Sequence, residues 1–394
     1  MQDTSKMTPQ ELYAYRIQLY RDAIAFKKPD RIPVNANMFT WMFMDAGYSP
    51  TKAARSYDLI NDSMIQFVTK YKVDGINFLN SGYRNPFVIS DSLGGSDVYT
   101  DQDAENLNVI VEDLMSPDEY DQLENQFPQF LLNKFFQKFP AAKEYTVDQL
   151  IHSIGIQNEF FGNKAQSILK MRNEYGITGE LNFCYYMPAF EDLFSLYRGL
   201  KGVSMDLRRK KKDVEHFIEY KNAQNKAAFD AWYATATPGM DMSESFDVGT
   251  GMLGHVILNR KQFDQFYAPI FEYTIRKTME LGKQFFIFSE GSWERFGDFF
   301  NQFPKGTLAM MVEEDDIFEI RRKYPNICLI GGIDVNLLGS GTPEECVASV
   351  KKVIDEIGKD GGLILSPNKM ISYANDCKSE NLKAICDFVS TYEI

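Results

Sequence analysis

Eight short apolar runs rich in β-forming residues recur along this 394-residue chain, and amphipathic stretches of helical length separate most of them. Such alternation is typical of βα units, which build a parallel sheet. Eight strands of this kind favour a closed ring. The sequence therefore predicts an α/β protein with a (β/α)8 TIM barrel, and an open doubly wound sheet is the alternative. The eight runs span residues 31–37, 74–79, 179–184, 240–246, 284–290, 307–312, 326–334 and 361–367.

A long segment lies between the second and the third predicted strands, at about residues 80–175. Its pattern predicts a hairpin over residues 87–99 and 108–112, followed by an aromatic-rich helix over residues 120–139. A structured insertion of this length usually covers the catalytic face of a barrel or forms an interface. We expect a single barrel domain over residues 1–394, with the insertion covering the catalytic face.

The composition of the chain indicates its cellular compartment and excludes some classes of binding partner. The chain has 42 basic and 55 acidic residues, a net charge of -13, which repels nucleic acid and anionic membrane surfaces. Five cysteines without a CxxC pair argue against a disulfide framework and against a four-cysteine zinc module. The N-terminus does not resemble a signal peptide, and the chain lacks an apolar stretch of about 18 residues. We expect a cytoplasmic protein with no nucleic-acid or membrane partner.

Polar residues follow most of the predicted strands, where a barrel enzyme carries its catalytic groups. Crowded carboxylates raise one another's pKa, so that one of them can keep a proton near neutral pH and act as a general acid. The alternative is a solvated loop residue or a helix cap, which applies above all to residues 313–315. The residues at these strand ends are Tyr185 and Tyr186 after the third strand, Glu244 and Asp247 after the fourth, Glu290 after the fifth, Glu313 and Glu314 after the sixth, Asp334 after the seventh and Asn368 after the eighth.

Glu290 is the leading candidate because the apolar run 285–288 places a carboxylate directly after a buried strand. Its alternative role is a capping contact for a helix that begins near Trp293. Asp334 follows a Gly-Gly-Ile segment, where the absence of side chains lets a ligand approach. Its alternative role is that of a cap or turn residue before the next helix.

The histidines and tyrosines narrow the chemistry further. The chain contains only His152, His216 and His255, so a Ser-His-Asp triad or a histidine-rich metal site is difficult to build. His255 follows a glycine-rich loop after the fourth strand and could face the mouth of the barrel. Tyr186 lies in an aromatic cluster, for which core packing with a satisfied hydroxyl is the alternative to a functional role.

Several motifs are spread over nearly the whole chain. They are Arg21-Asp22-Ala23, residues 28–34, residues 179–187, Phe246-Asp247, residues 263–269, Gly331-Gly332-Ile333-Asp334, residues 361–365 and residues 379–382. With these motifs the chain resembles the uroporphyrinogen decarboxylase superfamily, which includes the decarboxylase and the cobalamin-dependent methyltransferases built on the same barrel. In this resemblance Tyr186 matches the tyrosine of the third-strand motif, and Asp334 matches the aspartate of the seventh-strand motif.

The decarboxylase branch of that superfamily holds the many carboxylates of a tetrapyrrole through an arginine-rich segment after the first strand. Residues 35–54 of this chain contain no arginine. A polycarboxylate would therefore meet an acidic mouth without these clamps. The comparison disfavours porphyrinogen decarboxylation.

The thiol-methylating branch carries zinc on a His-x-Cys motif after the fifth strand and on a distant cysteine after the eighth. The matching positions here are Phe288, Glu290 and Asn368. Phenylalanine cannot bind zinc and an amide is a poor ligand, so the standard zinc set is absent. Glu290 could still contribute to a harder, oxygen-rich metal site. Its partners in such a site would be Glu244, Asp247 or His255.

The resemblance and these substitutions predict a cobalamin-dependent methyltransferase. It would move a methyl group between a small ether or amine and a corrinoid carried by a separate corrinoid protein. The predicted catalytic residues are Glu290, Tyr186 and Asp334, and the predicted substrate-binding residues are Glu244, Asp247, His255 and Asn368. The alternatives are a decarboxylase that acts on a small or tetrapyrrole acid and a non-catalytic barrel used for binding. A homodimer is compatible with each of them.

Overall fold

The computed structural model describes residues 4–76, 81–84, 86–95, 98–100, 107–109, 114–179, 181–235 and 246–394. Within these ranges parallel strands alternate with helices, which confirms the predicted mixed α/β class. The strands are β1 (Asn35–Ala36), β2 (Gly75–Ile76), β3 (Val98–Thr100), β4 (Leu107–Val109), β5 (Leu181–Tyr186), β6 (Phe246–Met252), β7 (Phe285–Ser289), β8 (Leu308–Met311), β9 (Cys328–Ile333) and β10 (Leu363–Pro367).

The parallel strands of the described ranges form two sheets. One has the order β10-β9-β8-β7-β6-β5, and the other pairs β1 with β2. Isolated parallel bridges join the smaller sheet to both edges of the larger one: Val34 pairs with Leu365 in β10, and Gly75 pairs with Thr178 just before β5. The amide of Ile76 donates a hydrogen bond of 3.3 Å to the carbonyl of Thr178. The long connection between β2 and β5 therefore returns to a position beside β2.

Helices connect the strands and fill much of the segment between β2 and β5. They are α1 (Pro9–Ile24), α2 (Trp41–Asp45), α3 (Pro50–Ala53), α4 (Tyr57–Tyr71), α5 (Phe87–Ser92), α6 (Tyr120–Asn125), α7 (Phe127–Lys138), α8 (Val147–Tyr175), α9 (Ala189–Asp192), α10 (Gly199–Arg209), α11 (Lys211–Thr235), α12 (Arg260–Phe266), α13 (Ala268–Glu280), α14 (Gly297–Asn301), α15 (Ile317–Lys323), α16 (Val335–Ser340), α17 (Pro343–Val353) and α18 (Ser379–Thr391). Short 3-10 helices lie at Thr4–Lys6, Ser81–Tyr83, Pro140–Glu144, Gly254–Ile257, Glu294–Phe296 and Ala374–Asp376, and π-helical turns lie at Leu193–Tyr197 and Ile354–Gly358. In the described part of the chain, no helix is both long enough and apolar enough to cross a membrane.

The insertion differs from its prediction in two places. β3 and β4 form the expected antiparallel pair, but Phe87–Ser92 is the helix α5 rather than a strand. Its buried residues, Phe87 and Ser90, are three positions apart, which is the spacing of one helix face. The aromatic helix is divided at Gln126 into α6 and α7. That the insertion covers the catalytic face remains a prediction.

The fourth parallel strand is displaced from its predicted position. The sequence predicts this strand at residues 240–246, whereas β6 spans Phe246–Met252, and residues 236–245 lie outside the described ranges. β6 contains two glycines among its seven residues, so its sequence does not show the continuous apolar run by which the other strands are predicted. Its register with β7 pairs Val248 with Phe285 and Met252 with Ser289. The predicted boundary is therefore wrong by most of a strand.

Two apolar layers lie on the two faces of the strands because side chains alternate along each strand. Phe286 and Phe288 of β7 belong to one layer together with Ile330 of β9. Phe285 and Ile287 belong to the other layer, which includes residues of the surrounding helices. All five residues of β7 are buried. The strand therefore carries the residue that follows it to the rim of an apolar layer.

A buried charge cluster joins the beginnings of β1 and β2 to α1. Asp74 accepts hydrogen bonds of 2.6 Å from Arg31 at each carboxylate oxygen and one of 3.2 Å from the Nε of Arg16. It also accepts a hydrogen bond of 2.9 Å from the amide of Val34. Burial raises the pKa of Asp74, but the guanidinium groups outweigh burial and hold this pKa below its ordinary value. The cluster lies at the N-terminal ends of the strands.

Candidate active site

Glu290 lies at the C-terminal end of β7, as the sequence predicts. Its amide donates a hydrogen bond of 3.2 Å to the carbonyl of Met252, the last residue of β6. Ser289, the residue before it, is completely buried, and Glu290 itself is half-buried. The carboxyl group therefore lies at the rim of an apolar layer rather than in open solvent.

The surroundings of Glu290 favour its protonated form. Burial raises the pKa of this carboxyl, and the negative charge of Glu313 raises it further. Arg84, which follows β2, acts in the opposite direction. The net shift is upward, so Glu290 keeps its proton to a higher pH than an ordinary glutamate does. A general acid needs this property.

Carboxylates that follow β8 hold the loop after Glu290. Glu313 accepts a hydrogen bond of 2.5 Å from the amide of Gly291. Asp315 accepts a hydrogen bond of 2.9 Å from the amide of Trp293 and one of 3.1 Å from the next amide. The cap of the helical turn at Trp293 is therefore Asp315, and the alternative capping role predicted for Glu290 is wrong.

A second carboxyl group, that of Glu191 in α9, is completely buried behind this region. Its Oε1 accepts hydrogen bonds of 2.6 Å from the amide of Leu253, 2.9 Å from the amide of Gly254 and a short one from the hydroxyl of Tyr267. Its Oε2 is buried and has no hydrogen-bond partner among the described residues. The sequence prediction does not include Glu191, because it considers only the residues directly after each predicted strand, which here are Tyr185 and Tyr186. Glu191 lies in the first turn of the following helix, α9, where acidic residues could be considered as well.

Burial raises the pKa of Glu191 to about 7, although the three hydrogen bonds at Oε1 lower it. The charge of Glu290 acts in the same direction as burial. One peptide group links the backbone of Glu290 to the side chain of Glu191, since the carbonyl of Met252 accepts from the amide of Glu290 and the amide of Leu253 donates to Oε1 of Glu191. The end of β6 therefore positions two acids whose charges influence each other.

We expect Glu191→Gln to change how stability depends on pH. The ordinary pKa of a glutamate, 4.5, applies to the unfolded chain, whereas the pKa of the folded chain is about 7. The unfolded state therefore releases this proton first as the pH rises. The stabilisation that proton binding gives the wild type is full below pH 4.5 and is lost as the pH rises toward 7. Its size is about 3 kcal/mol.

Urea unfolding of the wild type and of Glu191→Gln at pH 5 and at pH 8 measures this effect. The wild type should lose about 3 kcal/mol relative to the variant between these two pH values. His255 has a lowered pKa, which makes stability depend on pH in the opposite sense. Because both proteins contain His255, its contribution cancels in the difference between them. A difference that stays constant with pH would contradict the assignment.

A cavity of about 380 Å³ opens beside Glu313, at the ends of β8, β9 and β10. Its polar lining is mainly acidic. Its carboxylate side chains are those of Glu313, Glu314, Asp315, Asp316 and Asp334, and its amide side chains are those of Asn336 and Asn368. Such a lining repels anionic ligands and stabilises cationic ones.

Asp334 and Asn368, two predicted site residues, line this cavity and also hold the backbone around it. The Oδ1 of Asp334 accepts a hydrogen bond of 2.9 Å from the amide of Asn336, so this residue caps α16, as the alternative interpretation predicts. Asn368 accepts a hydrogen bond of 3.1 Å from the amide of Val335 and donates one of 3.2 Å to the carbonyl of Glu313. Both residues therefore contribute to the shape of the cavity.

Tyr186 lies on the face of the sheet that packs against helices. Its hydroxyl forms a hydrogen bond of 2.6 Å with the hydroxyl of Thr274 in α13, and its ring packs edge-on against Phe229 and Phe285. This position corrects the expectation that Tyr186 is a catalytic residue at the mouth. The side chain points outward because alternate residues of a strand face opposite sides.

Asp247 and Glu244 do not form part of the described site. Asp247 is the second residue of β6, where it accepts a hydrogen bond of 2.8 Å from the amide of Gln284 and lies 3.6 Å from Arg21. The corrected position of β6 places Asp247 at the opposite end of the strand from Met252, so the predicted substrate-binding role of Asp247 is wrong. Glu244 lies outside the described residues.

His255 is completely buried in the turn after β6. Its Nε2 donates a hydrogen bond of 3.2 Å to the carbonyl of Ser292, and its ring contacts Phe296. Burial lowers the pKa of His255 to about 4, so the ring is neutral at physiological pH. His255 therefore supports the loop that follows Glu290 and does not face a substrate, which corrects its predicted substrate-binding role.

The donor set does not fit the zinc site of the thiol-methylating enzymes. Phe288 is packed in an apolar layer, and the amide of Asn368 is bonded to the backbone. Across the part of the chain that the structure describes, no group of three or more His, Cys, Asp or Glu side chains could hold a metal ion. Asp247 and His255 are likewise not placed to complete a site around Glu290.

We expect the purified protein to carry well under one zinc ion per chain, because this set of ligands is incomplete. Elemental analysis after dialysis against metal-free buffer measures the content. Stoichiometric zinc that disappears in Glu290→Ala would contradict the expectation and would make Glu290 a metal ligand.

Comparison with known proteins adds one finding about the fold. No family model and no curated protein matches this chain by sequence. Among solved structures, a methyltransferase from Methanosarcina mazei is similar, with a TM-score of 0.58, 12% sequence identity and coverage of 95% of this chain and 98% of that chain. At this identity the likeness concerns the fold alone. This chain thus shares its overall fold with that protein over nearly its whole length.

Proposed function

We propose that this protein is a methyltransferase that moves a methyl group between a small ether or amine and a corrinoid carried by a separate protein. The observation that carries the proposal is Glu290, a half-buried acid with a raised pKa at the C-terminal end of β7. Barrel enzymes carry out their chemistry at this end of the strands. The fold shared with the methyltransferase from Methanosarcina mazei supports the same reaction class.

The proposal includes a closed (β/α)8 barrel formed by β1, β2 and β5 to β10. Its support is a pair of bridges: Val34, just before β1, pairs with Leu365 in β10, and Gly75 in β2 pairs with Thr178 in the segment before β5. Closure would bring the segment after β2, which carries Arg84, and the segment after β5, which carries Glu191, to the same mouth as Glu290. The charge of Arg84 acts on the pKa of Glu290, and the charge of Glu290 acts on the pKa of Glu191.

In the proposed reaction the bond between the methyl carbon and the oxygen or nitrogen of the substrate breaks. The methyl group passes to the reduced corrinoid of the partner. The leaving oxygen of an ether, or the leaving nitrogen of an uncharged amine, takes a proton from Glu290, whereas an ammonium donor already carries this proton and leaves as the neutral amine. Protonation of the leaving atom lowers the barrier for an ether, whose alkoxide is otherwise a poor leaving group. Glu191 lies behind Glu290 as a positioning residue, and its charge state adjusts the proton affinity of the site.

The acidic cavity favours a neutral or cationic substrate. A carboxylate-rich tetrapyrrole would meet the carboxylates of Glu313, Glu314 and Asp334 in this cavity, and such repulsion is costly where counter-charges are few. An ammonium group would instead be stabilised there. This charge distribution supports the ether or amine class over a polyacid.

An anaerobic assay with chemically reduced cobalamin tests the proposal. Methyl ethers and methylamines are supplied as donors, and the spectrum of the corrinoid and the demethylated product are followed together. We expect product formation that depends on both the donor and the reduced corrinoid. Release of carbon dioxide from a small acid without any requirement for corrinoid would instead identify a decarboxylase.

A further inference from the structure

The helix α8 has an apolar surface stripe that nothing in the described part of this chain covers. The stripe consists of Val147, Ile151, Ile154, Phe161 and Leu169, whose side chains are 71%, 59%, 56%, 52% and 46% exposed. At 3.6 residues per turn these five residues lie within about 40° of one direction on the helix. The buried residues of α8 lie on the opposite side, where Phe160 packs against Tyr83.

The stripe is flanked by two glycines, Gly155 and Gly162, that have open space around them. A Cβ atom built at either position would meet nothing within 4 Å. Glycine within a helix costs about 1 kcal/mol relative to alanine, and no contact among the described residues requires it here. Two glycines seven residues apart let a second helix backbone approach closely.

The charges of α8 are divided between its two halves. Residues 147–159 contain two acidic residues, Asp148 and Glu159, and no lysine or arginine. Residues 160–175 contain three basic residues, Lys164, Lys170 and Arg172, and one acidic residue, Glu174. A second helix that runs antiparallel to α8 and has the same charge order would place acidic ends beside basic ends. The helix that meets this condition is α8 of another copy.

We propose that α8 forms the interface of a homodimer in which the two copies of this helix pack antiparallel about a two-fold axis near Asn158. In this register Gly155 of one copy lies opposite Gly162 of the other. Ile154 of one copy packs against Phe161 of the other, and Leu169 packs against Val147 and Ile151. The two Asn158 side chains meet at the axis, where a polar residue fixes the register. A two-fold interface requires such self-complementarity.

The size of the contact sets the expected strength of the dimer. The stripe spans about 33 Å along the helix, and one helix pair buries less than the roughly 1,200–2,000 Å² of stable complexes. We therefore expect a dissociation constant in the micromolar range. Sedimentation equilibrium over about 1 to 200 µM protein should give a mass that rises from one chain to two.

Two substitutions separate association from folding. Ile154→Asp places an uncompensated charge in the interface and should raise the dissociation constant at least about 100-fold. Gly162→Leu fills open space on the monomer and improves helix propensity, yet it obstructs the approach of the second helix and should also weaken the dimer. Gln166→Asp is the matched control, since Gln166 is exposed on α8 but lies outside the stripe. The melting temperature of each variant at low concentration should stay at or above that of the wild type.

A cysteine at the axis tests the register directly. Asn158→Cys should form a disulfide-linked dimer under mild oxidation, whereas the two positions in Gln166→Cys would lie about 24 Å apart along the helices and should not react. The wild type is the background control, because its four described free cysteines are buried.

A monomeric wild type at 200 µM would overturn the proposal, and so would a dimer that Ile154→Asp leaves intact. Equal cross-linking at both positions would overturn the register, and binding of the monomeric wild type to anionic lipid vesicles would assign the stripe to a membrane surface instead.

Discussion

Glu290→Gln is expected to reduce methyl transfer to reduced cobalamin by about 10²- to 10⁴-fold while the melting temperature stays close to that of the wild type. The substitution preserves the shape of the side chain and removes the proton that the leaving atom would take. Folding should be little affected because Glu290 is half-buried and the capping contacts of this loop are made by Asp315. Single-turnover measurements under anaerobic conditions give the rate.

Glu314→Gln is the matched control for this experiment. Glu314 follows β8, lines the same cavity as Glu313, and is exposed. We expect its loss to change the rate by less than about 10-fold, since an exposed charge is screened by water and salt. If both variants lost the same amount of methyl-transfer rate, the effect of Glu290→Gln would be explained by the loss of a negative charge near the cavity and not by the loss of a proton donor. A near-normal rate of methyl transfer in Glu290→Gln would contradict the proposed role of Glu290 as the general acid.

The pH dependence of transfer gives an independent measurement. The active form of Glu290 carries a proton, so the rate should fall as the pH rises through its raised pKa. In Glu290→Gln this descending limb should disappear from the residual activity. A limb that persists in the variant would belong to another group.

Asp74→Ala is expected to lower the free energy of unfolding by about 3 to 5 kcal/mol, the usual cost of removing one partner of a buried ion cluster. Without Asp74, the guanidinium groups of Arg31 and Arg16 stay buried with no counter-charge, and the amide of Val34 loses its acceptor. Burial cannot be relieved locally, because Arg16 lies within α1 and Arg31 lies in the segment that leads into β1. Urea unfolding monitored by tryptophan fluorescence measures the change.

The exposed ion pair of Arg55 with Asp91 is the matched control. The two groups are 2.7 Å apart, and their side chains are 36% and 44% exposed. Asp91→Ala should therefore cost less than about 1 kcal/mol, since water screens an exposed pair and replaces its contacts. If Asp74→Ala does not fold, Asp74→Asn, which keeps the shape and loses the charge, supplies the measurement. Equal small losses for Asp74 and Asp91 would contradict the structural role of the cluster.

Local patterns in the sequence were enough for several elements. The run before Glu290 is apolar at every position, so both the strand and the carboxyl group at its end are predicted without knowledge of distant residues. The start of helix α17 is likewise set by residues that are close in the chain, since Thr342 and Glu345 form a reciprocal capping box at 3.3 Å and 2.9 Å. These features depend on contacts between residues that are close in the chain, which a sequence pattern records.

Other features depend on contacts between distant residues. Glu191 becomes an unusual acid only because Leu253, Gly254 and Tyr267, far along the chain, supply its hydrogen bonds and exclude water. A carboxylate in the first turn of a short helix is otherwise ordinary. No local pattern records the neighbours that raise its pKa to about 7.

The sequence by itself determined the alternation of strands and helices outside the insertion, the parallel class of the sheet and the position of Glu290, because apolar periodicity and capping act within one or two turns of the chain. Only the tertiary structure decided which face Tyr186 occupies, which end of β6 carries Asp247, and that the stripe of α8 remains exposed. A shift of strand register or a change of packing partner reverses each of these outcomes without changing the local pattern. The side chains at the candidate site are therefore selected by strand pairing and burial, which the residue types alone do not specify.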